Sequence, residues 1–388
     1  MKKLCRNKLA SIILIGMLIV ALVVSSGCTS KSAPVQEEGS TSEESGEVTI
    51  TDGFGRAVTI PANVESVVCS GSGCLRYLVY LQAQDLIVGV DSIETRDSEI
   101  EGRPYALANP QLKNYPLIGE FRGNDDPEKI IAISPQVILK VETVDPAASI
   151  ADADELQEKT GIPVVAFPYG SMRNEEDKAD MYSSLRLMGE VVGKGERAEE
   201  VIAYFETTLE DLDSRTADIP ESEQKDVYVG GVSYAGAHGI ISTEPAYAPF
   251  LWVHADNVAA GMGMDHADIA KEKLIEWDPE YIFIDIGTTQ LGDGGATSEL
   301  KTDPSLTGLS VVKNGNIYGV IPYNYYNTNY ESVLGNAYFV GKVLYPDRFE
   351  DIDPKARADE IYTFFVGEPV FSDLNEQYNN LGFGQIPK

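Results

Sequence analysis

The sequence predicts an α/β protein of two similar lobes, each built on a mostly parallel sheet, joined by a single long rigid helix. Three observations predict this. Short β-branched runs alternate with helical spacing along most of the chain, the pattern of strands with helical crossovers. The stretch DPEKIIAISPQVIL at 126–139 returns in weaker form as AKEKLIEWDPEYIF at 270–283. Between the copies lies a helix-forming segment, 177–216, long enough to hold two lobes apart. The same spacing also fits two ordinary helices lying on one sheet.

Laying Glu128 on Glu272 pairs Lys129 with Lys273, Ile130 with Leu274, Ile131 with Ile275, Pro135 with Pro279 and Ile138 with Ile282. Each copy reads as a short amphipathic helix stopped at the residue before proline, where helical geometry is disfavoured. A buried strand follows in each. The copies are too far apart for a solenoid period, so they mark one unit in each lobe.

The first lobe spans 47–192. Residues 48–60 alternate apolar and polar around Asp52-Gly53-Phe54-Gly55, a β-hairpin pattern ended by Pro61. Strands follow at 66–69, 86–90, 137–141 and 161–167, with helices from Leu75 and over 151–159. Helical spacing over 177–192 and 196–216, broken at Gly193-Lys194-Gly195, leads into a linker, so 193–225 is the connection. The second lobe spans 226–388. It has strands at 226–232, 281–286 and 317–318, a flexible loop at 287–295, and helices at 332–344 and 354–365.

The composition narrows the function classes. Thirty Lys and Arg against 61 Asp and Glu give a formal net charge of −31, which repels phosphate backbones, so nucleic-acid binding is not expected. Residues 1–28 form a targeting segment: Lys2, Lys3, Arg6 and Lys8 precede an apolar run that ends at Ser25-Ser26-Gly27-Cys28. Cys28 after small residues resembles the lipobox of lipoproteins, with Ser25 where Leu is usual; an ordinary signal peptide or an uncleaved anchor are the alternatives. Each places the body outside the cytoplasm. Residues 29–46, rich in Ser, Glu and Gly, read as a disordered tether. Cys69 and Cys74 are the two remaining cysteines, free to pair or not in that compartment.

Ligands of parallel sheets gather in the loops beyond the strand C-termini, here 70–76, 91–105, 120–125, 142–147 and 168–173. The Ser70-Gly71-Ser72-Gly73 loop before a helix, with Arg76 in its first turn, suits an anion, or simply a tight turn. Tyr323, Tyr325 and Tyr326 lie in a run of tyrosines and amides, 322–330, of the mixture that binding loops use.

At this point the chain resembles the metal-chelate group of ABC-importer substrate-binding proteins, which serves iron–siderophore, haem and cobalamin uptake. The resemblance covers nearly all of 47–388. It rests on 51–61 (TDGFGRAVTIP), the two repeat copies, 160–165 (TGIPVV) and 312–318 (VKNGNIY). It implies the class III periplasmic-binding-protein fold and a non-enzymatic, monomeric capture protein that holds cargo between its lobes and delivers it to a membrane permease. It implies no cofactor, only cargo: a ferric chelate first, a corrinoid or haem second, an oxyanion such as molybdate third. By position in the motif, Glu128 and Glu272 resemble the glutamates that dock on arginine pockets of the permease. The candidates for facing the ligand are Arg76, Arg96, Arg122, Tyr234, His238, Trp252, Tyr323, Tyr325 and Tyr326, a set suited to an anionic chelate. A metal hydrolase is the competing class, through His238, His254 and His266 with Asp256, Asp265 and Asp268. No helical two-histidine spacing supports it, and the Ser70–Gly73 run lacks the first glycine of a nucleophile elbow. A surface adhesin is a third class, favoured only by the tether.

Overall fold

The structure, a computed structural model, describes residues 46–142 and 145–387. The targeting segment 1–28 with Cys28, and the tether up to residue 45, lie outside the described residues. No helix among the described residues is long and apolar enough to cross a membrane.

The first lobe opens with the expected hairpin, β1 (Glu47–Thr51) against β2 (Ala57–Pro61). Its turn is held by Asp52, whose carboxylate accepts the Phe54 and Arg56 N–H groups at 3.0 and 2.9 Å and pairs with the Arg56 guanidinium. The six-stranded sheet that follows uses β3 (Val67–Ser70), β4 (Ile87–Asp91), β5 (Leu117–Glu120), β6 (Asn124–Asp125), β7 (Val137–Glu142) and β8 (Val164–Pro168). Its order is β6-β5-β4-β3-β7-β8, parallel except for β6. The chain adds strands to one side of β3 and then to the other. The helices of this lobe are α1 (Cys74–Tyr80), α2 (Pro104–Ala108), α3 (Pro127–Ile133), α4 (Pro146–Thr160) and α5 (Glu175–Val191).

The connecting helix is α6 (Gly195–Thr216), 22 residues and therefore about 33 Å long. It folds back on α5 through a turn at Gly193, with Arg186 and Glu199 joined at 2.7 Å. Near its start Arg197 donates to the Tyr80 carbonyl of the first lobe at 3.0 Å. Near its end Arg215 pairs with Asp351 of the second at 2.7 Å.

The second lobe repeats the plan. Its strands are β9 (Asp226–Gly230), β10 (Ser242–Thr243), β11 (Asp256–Asn257), β12 (Ala267–Asp268), β13 (Tyr281–Asp285), β14 (Ile317–Val320) and β15 (Gly384–Gln385). The main sheet has the order β11-β9-β13-β14-β15, parallel apart from β15, while β10 pairs with β12. Its helices are α7 (Ala248–Trp252), α8 (Lys271–Trp277), α9 (Ala296–Thr302), α10 (Ser310–Asn314), α11 (Tyr330–Leu344), α12 (Pro354–Val366) and α13 (Phe371–Gln377). The stretch expected as a flexible loop, 287–295, is instead mostly a 3-10 helix, Ile286–Gly294, started by Asp285 accepting the Gly287 N–H.

The two repeat copies are structural equivalents. Both α3 and α8 are stopped by a left-handed residue before proline, Ser134 (φ 56°) and Asp278 (φ 40°). The strands that follow, β7 and β13, each lie beside the first strand of their sheet, β3 and β9. Each helix buries a single side chain, and these are the aligned pair Ile130 and Leu274.

The lobes share an aromatic seam. Tyr77 and Tyr169 of the first stack at 4.6 Å, and Tyr169 stacks on Tyr330 of α11 at 5.4 Å. The chain's end returns to the first lobe: Phe365 of α12 packs edge-on against Tyr80 at 4.8 Å. Cys69 and Cys74 are buried free thiols, and the Cys74 Sγ lies 3.3 Å from the Leu139 carbonyl.

Candidate functional site

The tyrosine–amide run is a strap from the second lobe to the first. It leaves β14 at Pro322 and turns through left-handed backbone at Tyr326 and Asn327 (φ 55° and 72°) before entering α11. One flank is fastened to the first lobe. The Tyr326 hydroxyl donates to the Asp91 carboxylate and accepts the Arg122 N–H at 2.9 Å. Asn327 donates to the Ser72 carbonyl at 3.0 Å, and the Tyr325 hydroxyl reaches the Ile100 carbonyl at 3.3 Å. Arg76 lies fully buried beneath this flank. It donates to Asn329 Oδ1 (3.0 Å), to the carbonyls of Tyr325 and Tyr326 (3.0 and 3.1 Å) and to the Tyr169 hydroxyl.

The other flank lines a cavity of about 530 Å³ between the lobes. The first lobe contributes Gly170–Arg173, the loop after β8. The second contributes Tyr234 after β9, Glu244 and residues 246–249, Asp265 and His266, and from the strap Tyr323, Asn324, Asn327 and Thr328. Parallel sheets place ligands there, beyond the strand C-termini where the strand order reverses.

Arg173 bridges the lobes across this cavity. Its guanidinium lies 3.4 Å from Glu244 and 3.3 Å from Asp265, and it donates to the Met264 carbonyl at 3.1 Å. Glu244 is buried, accepts the Tyr323 hydroxyl at 3.1 Å, and burial raises its carboxyl above the usual range. His266 lies parallel to the exposed Tyr234 ring at 4.4 Å, with Nε2 2.7 Å from the Ser242 hydroxyl. Burial lowers its imidazole, which favours the neutral ring. The result is a wall of phenols, amides and one neutral imidazole around a single cation with three carboxylate partners, Glu244, Asp265 and, at 3.8 Å, Asp177. Such a surface holds a molecule by hydrogen bonds and ring contact.

The expected ligand-facing residues separate into two groups. Tyr234 and Tyr323 line the cavity, and His238 stands behind Tyr234 with Nε2 2.8 Å from its carbonyl. The others do not line it. Arg76, Tyr325 and Tyr326 belong to the strap's fastening. Arg96 and Arg122 are exposed cations that both lie over the Phe121 ring, at 4.0 and 5.3 Å from its centre. Trp252 closes α7 half-buried against the core.

The glycines of the Ser70–Gly73 loop serve close packing. A Cβ on Gly71 would meet the Val141 carbonyl at 2.4 Å, and one on Gly73 the Tyr169 ring at 2.3 Å. Lys140 beneath it pairs with Asp125 and Asp152 at 2.8 and 3.0 Å. The three histidines are not gathered either. His254 pairs with Asp213 of α6 at 3.0 Å, apart from His238 and His266. Among the described residues no group of three or more His, Cys, Asp or Glu could hold a metal.

Arg173, Glu244, Asp265, His266, Asn324 and Asn327 are among the polar cavity residues absent from the expected ligand-facing set. Arg173 lies in a strand-end loop marked in the sequence, 168–173, and that position was its only signal.

Glu128 and Glu272 lie in the first turns of the equivalent helices α3 and α8, both exposed. Among the described residues neither is in an ion pair.

A family model described as periplasmic binding protein matches residues 67–323, from the first core strand to the strap. The chain belongs to that family. Two relatives and one solved structure give the range. The molybdate-binding protein MolA of Haemophilus influenzae is 24% identical over 335 residues, 81% of this chain and 90% of MolA. The iron(3+)-hydroxamate-binding protein FhuD of Bacillus subtilis is 25% identical over 338 residues, 84% of this chain and 95% of FhuD. The solved structure of MolA with molybdate superposes with a TM-score of 0.65 at 21% identity, covering 83% of this chain and 98% of that one. The fold is thus the class III periplasmic-binding fold, two α/β lobes on a connecting helix. The periplasmic binding protein is the extracytoplasmic substrate-binding component of an ABC importer, working with a membrane permease and a small-molecule ligand.

Proposed function

We propose that this periplasmic binding protein captures an organic iron chelate of siderophore type. The observation that supports this is the interlobe cavity of about 530 Å³. That volume falls within the range of roughly 300–1,000 Å³ that suits drug-sized ligands and far exceeds the need of a tetrahedral oxyanion. Rings of Tyr234 and Tyr323 offer faces to the chelate backbone, and Asn324, Asn327 and Thr328 offer hydrogen bonds to its amide or hydroxamate oxygens. The similarity to an iron(3+)-hydroxamate-binding protein points the same way. The test is thermal unfolding with a ferric trihydroxamate, haem, cobalamin or molybdate added in turn. A ligand at a hundredfold its Kd adds about 2.7 kcal/mol of stability. The expected result is a shift with the ferric trihydroxamate; a shift with cobalamin or haem alone reassigns the cargo.

A second reading, an oxyanion such as molybdate, is favoured by Arg173 and by the similarity to MolA. An anion entering the cavity would compete for Arg173 with Glu244 and Asp265. A molybdate shift that Arg173→Gln abolishes, with none from any chelate, selects this reading.

Delivery follows from the repeat. Glu128 and Glu272 are proposed as the carboxylates that dock on basic groups of the permease, one from each lobe. Cys28 is proposed as the lipidated residue that ties the protein to the outer face of the membrane, through the tether. Cys28→Ala then releases the protein to the medium; retention in the membrane fraction contradicts lipid anchoring. The working unit is proposed to be a monomer, and a light-scattering mass of two chains contradicts that.

A further inference from the structure

Ile131 and Ile275 are aligned positions of the internal repeat and are 49% and 40% exposed, unusual for isoleucine. Each lies three residues after its glutamate, on the same helix face and one turn away. The lysines between them are engaged within their own helices, Lys129 with Asp126 at 3.3 Å and Lys273 with Glu276 at 2.9 Å. Each copy therefore presents an unpaired carboxylate, a neutralised lysine and a bare aliphatic side chain. A single exposed isoleucine needs no explanation. Two at the same place in two lobes, each beside an unpaired carboxylate, form a pattern.

We infer that Ile131 and Ile275 are the apolar halves of two equivalent docking feet, Glu128 with Ile131 and Glu272 with Ile275, each seating on a permease surface that sets a basic group beside an apolar recess. The inference rests on the docking role proposed for the two glutamates. The division of labour is physical. A carboxylate steers encounter and sets register, but at the rim of an interface it is hydrated and screened by salt. An aliphatic contact one turn away excludes water around the ion pair, which strengthens it, and contributes attraction that salt does not weaken. Two feet are needed because the lobes hold the cargo between them, so the permease must engage both.

The experiment measures binding of the full chain, loaded with cargo, to the native host's permease complex in nanodiscs at low and high salt. The variants are Ile131→Ala/Ile275→Ala and Glu128→Gln/Glu272→Gln, with cargo affinity and Tm measured for each. The isoleucine pair is expected to weaken docking about tenfold or more at both salt concentrations. The glutamate pair is expected to weaken it chiefly at low salt. Cargo affinity and Tm should stay at wild-type values in the alanine pair, which separates docking from folding. Wild-type docking by the alanine pair, with the glutamine pair impaired, overturns the isoleucine role alone. Wild-type docking by both pairs overturns the glutamate reading and this inference with it.

Discussion

Arg76 of α1 and Asn329 at the end of the strap are hydrogen-bonded at 3.0 Å in the buried seam between the lobes, 253 residues apart in the chain. The guanidinium also donates across or beside the same seam to Tyr169, Tyr325 and Tyr326. Glu331, in the first turn of α11, is buried nearby, and Arg76 offsets part of the burial that raises its carboxyl. Arg76→Ala removes the donor from three carbonyl or amide acceptors and takes the cation from beside Glu331, which keeps only the Tyr80 hydroxyl. The expected loss is about 3–5 kcal/mol in urea unfolding, the usual cost of breaking a buried charged network. Arg76→Lys should lose less, since it keeps the charge.

Asp285 gives a pH dependence. It is fully buried at the end of β13, accepts the N–H groups of Ser233 (3.0 Å) and Gly287 (2.8 Å), and burial raises it from 3.8 to about 6. An acid whose folded pKa is raised contributes stability that is fully present below about 3.8. That contribution falls as pH rises through about 6, a change on the order of 3 kcal/mol. Asp285→Asn should flatten the stability profile between pH 4 and 7, whatever constant offset it adds. An unchanged slope in denaturant unfolding contradicts the assignment.

Two glycines separate backbone strain from collision. Gly55 and Gly73 both have left-handed φ, 81° and 91°, but only Gly73 has a neighbour where a Cβ would go. Gly55→Ala should cost about 1 kcal/mol of strain. Gly73→Ala must also displace the Tyr169 ring, and with it a partner of Arg76, so it should lower Tm clearly further.

The docking glutamates predict a separation of function. Glu128→Lys/Glu272→Lys should abolish uptake in the native host while cargo affinity, measured by fluorescence titration, stays at the wild-type value. Intact uptake contradicts the docking role. Loss of cargo binding contradicts the placement of the site away from both helices.

Much of this architecture was legible because it is local. The hairpin at 47–61, the proline-stopped helices and the strands at 137–142 and 281–285 follow from periodicity and turn chemistry within a few residues. The site was less legible because its geometry is set between distant segments. The composition of 322–330 marked a functional loop, yet nothing local tells that Tyr325 and Tyr326 face the first lobe while Tyr323 and Asn324 face the cavity. Arg76, Arg96 and Arg122 were plausible as free cations; burial in a seam, or stacking on Phe121, depends on contacts made across the fold. The two-residue strands β10 and β12, which carry Ser242 and flank His266, are too short for any period to reveal.

The central claim, capture of an iron chelate between the lobes, is tested most directly by purifying the protein from its native host and recording its visible spectrum and metal content. The account predicts a ferric-chelate charge-transfer band that follows the protein, with about one iron per chain and a binding ratio of one. A colourless protein carrying molybdenum in place of iron, or a corrinoid spectrum, would contradict it.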